Sequence, residues 1–252
     1  VQKPSDSLLM IMVHIAVALL LYGTMMLPRD LFVRLTLEDG FIENLGAIFL
    51  LAAAVAYFLL FLRATWFKDE ADQNRYQAMG WRYAFLLLAF VHLFGFGEEI
   101  SWGQRIFGYA TPEMFAERNI QNELTIHNLD IFNSWTADDQ QKSGWARLFT
   151  SKHIFLEVFG FYLLVLPLLN KYSLFSRNLL RRLHVPVPSI QYGWYFAFNL
   201  ILYQILKDFL ASENRVRWGF REVQECVFAY ILFLVPFHWL DLHKVLFRNR
   251  RN

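Results

Sequence analysis

Two adjacent carboxylates, Glu98 and Glu99, close an apolar run that begins near Trp81, within Gly95-Phe96-Gly97-Glu98-Glu99-Ile100-Ser101-Trp102-Gly103-Gln104-Arg105. Carboxylates at membrane depth are costly, so they face a protein interior or a water-filled cavity and mark a functional site by default. Desolvation raises the pKa of such a group, which suits it to proton transfer near neutral pH. If the helix runs on through Trp102, Glu98 and Arg105 lie seven apart on one face, with Trp102 between them. Arg105 then offers a planar fork to a carboxylate or to a lipid phosphate. Gly95 and Gly97 would admit a second backbone. Glu98, Glu99 and Arg105, with His127, are the expected catalytic residues, as general base, anion clamp and acid–base group.

Two further pairs, Glu123 with His127 and His153 with Glu157, have i, i+4 spacing. On helices each pair aims one carboxylate and one imidazole the same way. Carboxylate plus imidazole suits Zn, Fe or Mn, and inward-facing Glu and His pairs build dinuclear sites in helical bundles, there at i, i+3. Glu99, Glu123, His127, His153 and Glu157 are therefore candidate ligands of a divalent metal. The plainer reading of each pair is a hydrogen bond. His14, His92 and His238 fall within apolar runs; an interhelical hydrogen bond explains each, and axial ligation of a haem or pigment is the alternative.

These residues are positioned by long apolar runs. The chain of 252 residues is 56% hydrophobic and 18% charged, against about 25% charged in soluble domains. A span needs about 20 apolar residues. Six runs qualify or come close, at residues 8–27, 41–62, 81–102, 154–169, 190–211 and 224–247, the last bent if Pro236 interrupts its hydrogen-bond ladder. The fold expected is an all-α, six-helix membrane bundle forming a single domain. Its segment 106–152 is too polar to span and carries short interfacial helices, one opening at Thr111-Pro112-Glu113 with Thr111 as N-cap. A lone cysteine, Cys226, cannot form an intrachain disulfide. The net charge of +2 is uninformative about nucleic acid, but the basic residues flank apolar runs instead of forming a stripe that would bind one.

Lys and Arg concentrate in the loops after the second and fourth runs and at the C-terminal tail, around Arg63, Lys68, Arg82, Lys171, Arg177, Arg181, Arg248 and Arg251. By the positive-inside rule both termini are cytoplasmic. Glu43, Glu98, Glu99, Glu157, Lys207, Asp208, Glu222 and Glu225 then all lie toward the outer face, which predicts a convergent outward-facing polar site.

The stretch from Gly97 to Gly108, then Thr111-Pro112-Glu113, then Asn119 to His127-Asn128, resembles a group of uncharacterised bacterial multi-pass membrane proteins. That resemblance implies an inner-membrane location. Glu98-Glu99 with Arg105 is also similar to the paired-Glu and Arg element of the CAAX-type glutamic intramembrane proteases, and Phe149 with His153 has the spacing of their Phe-x-x-x-His element. The chain departs from that family in placing five residues, not three, between Glu99 and Arg105, and in lacking the later His-x-x-x-Asn/Asp element. Two functions follow from the residues. One is a metal-dependent membrane enzyme acting on a lipid or lipid-linked substrate. The other is a non-catalytic subunit of a larger membrane assembly, in which the same residues form a closed network and the exposed aromatics meet partner subunits.

Overall fold

Apolar residues all round a helix, without a polar stripe, mark it for lipid or for a protein core, and most of this chain reads that way. The structure, a computed structural model, describes residues 4–37, 39–66, 75–136, 140–147, 149–210 and 214–240. The part of the sixth run beyond residue 240, Arg248 and the loop around Asp138 lie outside the described residues.

Among the described residues the regular elements are all helices, apart from two isolated β-bridges. The helices are α1 (Pro4–Gly23), α2 (Arg29–Thr36), α3 (Phe41–Trp66), α4 (Arg75–Glu99), α5 (Gln104–Phe107), α6 (Glu113–Ala116), α7 (Ser151–Gly160), α8 (Leu166–Tyr172), α9 (Leu174–Arg182), α10 (Ile190–Leu210) and α11 (Asn214–Leu234). A π turn, Phe161–Val165, joins α7 to α8. Among the described residues three segments are long and apolar enough to cross a membrane: Arg29–Leu62, Gly80–Glu99 and Ser151–Tyr172. The protein is thus a helical membrane protein.

α11 is the central element. It packs on α1, α2, α3 and α10, while α3 also packs along α4. From Phe220 onward it buries Val223, Gln224, Val227, Ile231 and Leu234. Its first half carries Arg217, Arg221, Glu222 and Glu225, which keeps it below the apolarity of a lipid-facing span, yet suits an interior helix whose ionisable groups gather at one end. α10 meets the π turn closely: a Cβ on Gly193 would strike the Leu163 carbonyl oxygen. Pro236 does not bend a longer helix. α11 stops at Leu234, and Val235–His238 form a 3-10 turn, because proline has no N–H for the ladder.

Two expectations fail at the end of α4. The helix does not run through Trp102; it stops at Glu99, and Ser101 (φ 48°), Trp102 (φ 53°) and Gly103 (φ 81°) all take left-handed backbone. Glu98 and Arg105 therefore do not share a helix face. Gly97 does not admit a second backbone either. Its missing Cβ leaves room for the Trp102 ring, whose atoms lie 2.8 Å from where that Cβ would be. Thr111 is not an N-cap: α6 starts after Pro112, and the Thr111 hydroxyl donates to the Asn122 carbonyl at 2.5 Å.

Candidate functional site

The reversal after Glu99 throws residues 100–130 back over the ends of α3 and α4. Left-handed backbone costs about 1–2 kcal/mol per non-glycine residue, so side chains must hold it. Trp102 Nε1 donates to Glu98 Oε1 at 2.8 Å, and Ser101 Oγ donates to Glu123 Oε2 at 2.9 Å.

Glu98 is the hub. It is 6% exposed. Its Oε2 accepts from the backbone N–H of Ile126 (2.7 Å) and of His127 (2.8 Å), and pairs with His127 Nδ1 at 3.0 Å. With Trp102 that makes four donor contacts on one carboxylate, and charge-assisted bonds of this kind are the strong ones. The backbone at 126–127 is aimed by Asn119, whose Oδ1 accepts from the N–H of Gln121 and Glu123 and whose Nδ2 donates to Thr125. Gln104 ties the same loop down, accepting from Leu124 N and donating to Thr111.

His127 differs from Glu98 in access, since 41% of its side chain is exposed. Nδ1 is spoken for, so Nε2 is the atom left to meet a reactant. Burial disfavours the charged ring, but the Glu98 hydrogen bond and the charges of Glu99, Glu98 and Glu225 outweigh it and hold the imidazole above its ordinary value of 6.5. The pairing therefore stabilises the fold fully below pH 6.5 and is lost as pH rises through the elevated folded value.

Arg105 builds a second, separate knot. Its Nε donates to Glu123 Oε1 at 3.0 Å, Nη2 donates to the same oxygen, and Nη1 donates to Asp39 Oδ1 at 2.6 Å, with Glu43 Oε1 3.5 Å away. The expected Glu98–Arg105 pairing is replaced by this one, and the guanidinium tethers the cap to the start of α3 instead of clamping an anion. Burial works against its charge, but the Asp39 and Glu123 hydrogen bonds raise its pKa further. Glu99 lines a small polar cavity of about 40 Å³ with Asp39, Glu43, Asn44 and Arg105. Glu225, on α11, stands in the field of Arg221, Lys152 and His127.

The metal-ligand set does not assemble. Among the described residues no group of three or more His, Cys, Asp or Glu side chains is placed to hold a metal ion. Residues 117–129 are not helical, so the i, i+4 spacing of Glu123 and His127 does not aim them together; Glu123 goes to Arg105 and Ser101, His127 to Glu98. His153 and Glu157 do sit on α7, but both are exposed. Thr150 caps that helix, its Oγ1 accepting from the His153 N–H and lying 2.7 Å from His153 Nδ1, and neither His153 nor Glu157 hydrogen-bonds to the Glu98–His127 pair. His92 is 2% exposed, and its Nδ1 bonds the Leu88 carbonyl at 2.7 Å, one turn earlier in the same helix, in place of the interhelical bond expected.

Sequence reasoning missed Asp39 and the role of Asn119. The signals were present: Asp39-Gly40 just before α3 is turn chemistry, and an asparagine amid polar residues readily binds neighbouring backbone. Comparison with family models, curated proteins and solved structures finds no match, so the geometry alone carries the reading.

Proposed function

We propose that the protein is a multi-pass protein of the bacterial inner membrane whose outward end carries a Glu98–His127 acid–base site acting on a lipid or lipid-linked substrate. One observation carries this: a buried, fully hydrogen-bonded carboxylate fixes Nδ1 of a half-exposed imidazole. That arrangement selects the tautomer, orients the ring and strengthens Nε2 as a base. Glu98 is then a positioning residue, His127 the group that takes and returns a proton, and Glu99, facing the neighbouring cavity, a second acid–base group. Such a site abutting apolar helix ends suits a substrate that presents its head group from the bilayer.

The test is compositional. Cells lacking the protein are expected to accumulate one lipid or lipid-linked species, cleared by the wild-type chain and not by His127→Gln at equal abundance. Clearance by His127→Gln as efficient as by wild type would sink the catalytic reading. A specific observation favours the other reading, an accessory subunit: Ile106, Phe107, Met114 and Trp145 are 70–87% exposed on the cap segment, a surface fit for a partner subunit as well as for lipid. In that case His127→Gln complements, and a partner co-purifies with the chain.

In the proposed topology α1, α3, α4, α7–α8, α10 and α11 are six spans with both termini cytoplasmic, by the Lys and Arg distribution. Cys226 is 2% exposed, so it gives little background. A cysteine replacing the exposed Ser143 is expected to react with an impermeant thiol reagent in intact cells, and one placed beyond Arg248 only after lysis. The reverse pattern would invert the orientation.

A further inference from the structure

Three cations gather where α7, α10 and α11 come together, at the outer end in the proposed topology. Lys152 lies in the first turn of α7, Lys207 in the last turn of α10 and Arg221 in the first half of α11. Tyr203 holds two of them: Lys152 Nζ stands 5.3 Å and Lys207 Nζ 5.8 Å from its ring centroid, within the range of a cation–π contact. Arg221 acts through its charge on both Lys152 and Tyr203, which places it in the same group. Arg221 is exposed and the two lysines are half-buried, so the group is open to a ligand.

The positive charge of this group is not balanced. Among the described residues no carboxylate pairs with any of the three cations. Asp208, next to Lys207, accepts from Gln204 instead, and Lys207 Nζ has only the Gln204 side-chain oxygen, at 3.4 Å. On α11 Glu222 and Glu225 feel the charge of Arg221 without pairing with it. Lys152 feels two cations, Arg221 and Lys207, and one carboxylate, Glu225. Its place adds to the imbalance, because a cation in a first turn faces the positive end of the helix dipole. The outer ends of membrane helices are also where Lys and Arg are depleted. An anion from outside the chain would offset all of these costs at once.

Glu225 feels Arg221, Lys152 and His127 together, so the cations neighbour the imidazole and an anion held by them is presented to it. We propose that Lys152, Lys207 and Arg221 bind a phosphate group beside His127, so that the substrate of the acid–base site is a phosphate-bearing molecule; the inference names the substrate class of that reading and rests on it. Phosphate fits better than carboxylate. A carboxylate is satisfied by the fork of one arginine, whereas two ammonium groups and a guanidinium from three helices suit a tetrahedral group with more acceptor oxygens. A phosphomonoester lipid and free phosphate share this chemistry.

The experiment is calorimetric binding to the full chain in dodecyl maltoside. The probes are short-chain phosphatidic acid, inorganic phosphate and short-chain phosphatidylcholine, whose head group carries no net charge. Phosphatidic acid is expected to bind, and Lys152→Gln, Lys207→Gln and Arg221→Gln each to weaken it about ten-fold, the equivalent of one charge-assisted hydrogen bond. Arg221 is exposed, so its variant carries the test if a lysine variant does not fold. Lys171→Gln removes another lysine set over a tyrosine, Tyr172, at the other end of the α7–α8 segment, and should leave binding unchanged. Inorganic phosphate bound as tightly as phosphatidic acid assigns free phosphate as the ligand; weaker binding of phosphate assigns the lipid. No binding of either, equal binding of phosphatidylcholine, or binding untouched by all three substitutions would overturn the inference. Failure of the acid–base reading looks different: His127→Gln then clears the lipid species while the Arg221-dependent binding persists.

Discussion

Glu98→Ala is expected to release the cap segment from the bundle while the membrane helices stay assembled. The substitution leaves the Ile126 and His127 amides and Trp102 Nε1 without their acceptor. Each stranded donor costs about 1–3 kcal/mol, and the left-handed backbone at Ser101 and Trp102 loses one of the side-chain contacts that hold it. A loss of about 3–5 kcal/mol, concentrated in residues 100–130, exceeds what a local unit of this size withstands. Amide exchange at Ile126 and His127 should rise to that of an open loop, and a protease should cut there first. Glu98→Gln keeps an acceptor oxygen and loses the charge, so it should fall between. Unchanged exchange in Glu98→Ala would mean that the carboxylate does not hold the loop.

Arg105→Ala should have the second-largest effect, by a different route. It removes the cation between Asp39, Glu43 and Glu123, whose side chains are 64%, 14% and 12% exposed. Breaking a buried pair costs about 3–5 kcal/mol, and a surface pair contributes about 0–1. Glu123 and Glu43 are near the first case and Asp39 near the second, so about 2–3 kcal/mol is expected from the thermal midpoint. Arg105→Lys keeps the charge but not the fork, and should recover less than half. In Arg105→Ala, changing Glu123 to Gln should cost less than it does alone, because the acid then has no partner to lose. Additive losses would show that the two side chains act independently.

The all-helical class was legible because hydrophobic runs of about 20 residues have few other solutions, but helix bounds were not: the run read at 224–247 meets α11 at Asn214–Leu234, and α2 and α9 had no apolar run to announce them. Nor was the end of α4. Nothing in Ser101-Trp102 announces left-handed backbone, which non-glycine residues rarely adopt; only Gly103 hinted at it, and the reversal is held by contacts to Glu98 and Glu123 that sequence spacing does not display. Glu98 and His127 were both legible as chemistry-bearing residues. Their pairing was not, since it spans 29 positions and depends on Asn119 shaping the loop. Glu123 and His127 show the opposite case. Their helical spacing suggested a shared ligand, and a non-helical backbone sends them to different partners. α11 hid its central place because its charged first half lowers its apolarity, while its burial is a property of its neighbours.

The central claim is that Glu98 fixes His127 as an exposed acid–base group, and the direct measurement is a pH titration of the His127 imidazole by NMR in the full-length protein. The ring is expected to be Nδ1-protonated when neutral and to titrate above its ordinary value of 6.5, falling toward that value in Glu98→Gln. A ring that titrates at or below 6.5 in the wild type, unmoved by Glu98→Gln, would contradict it.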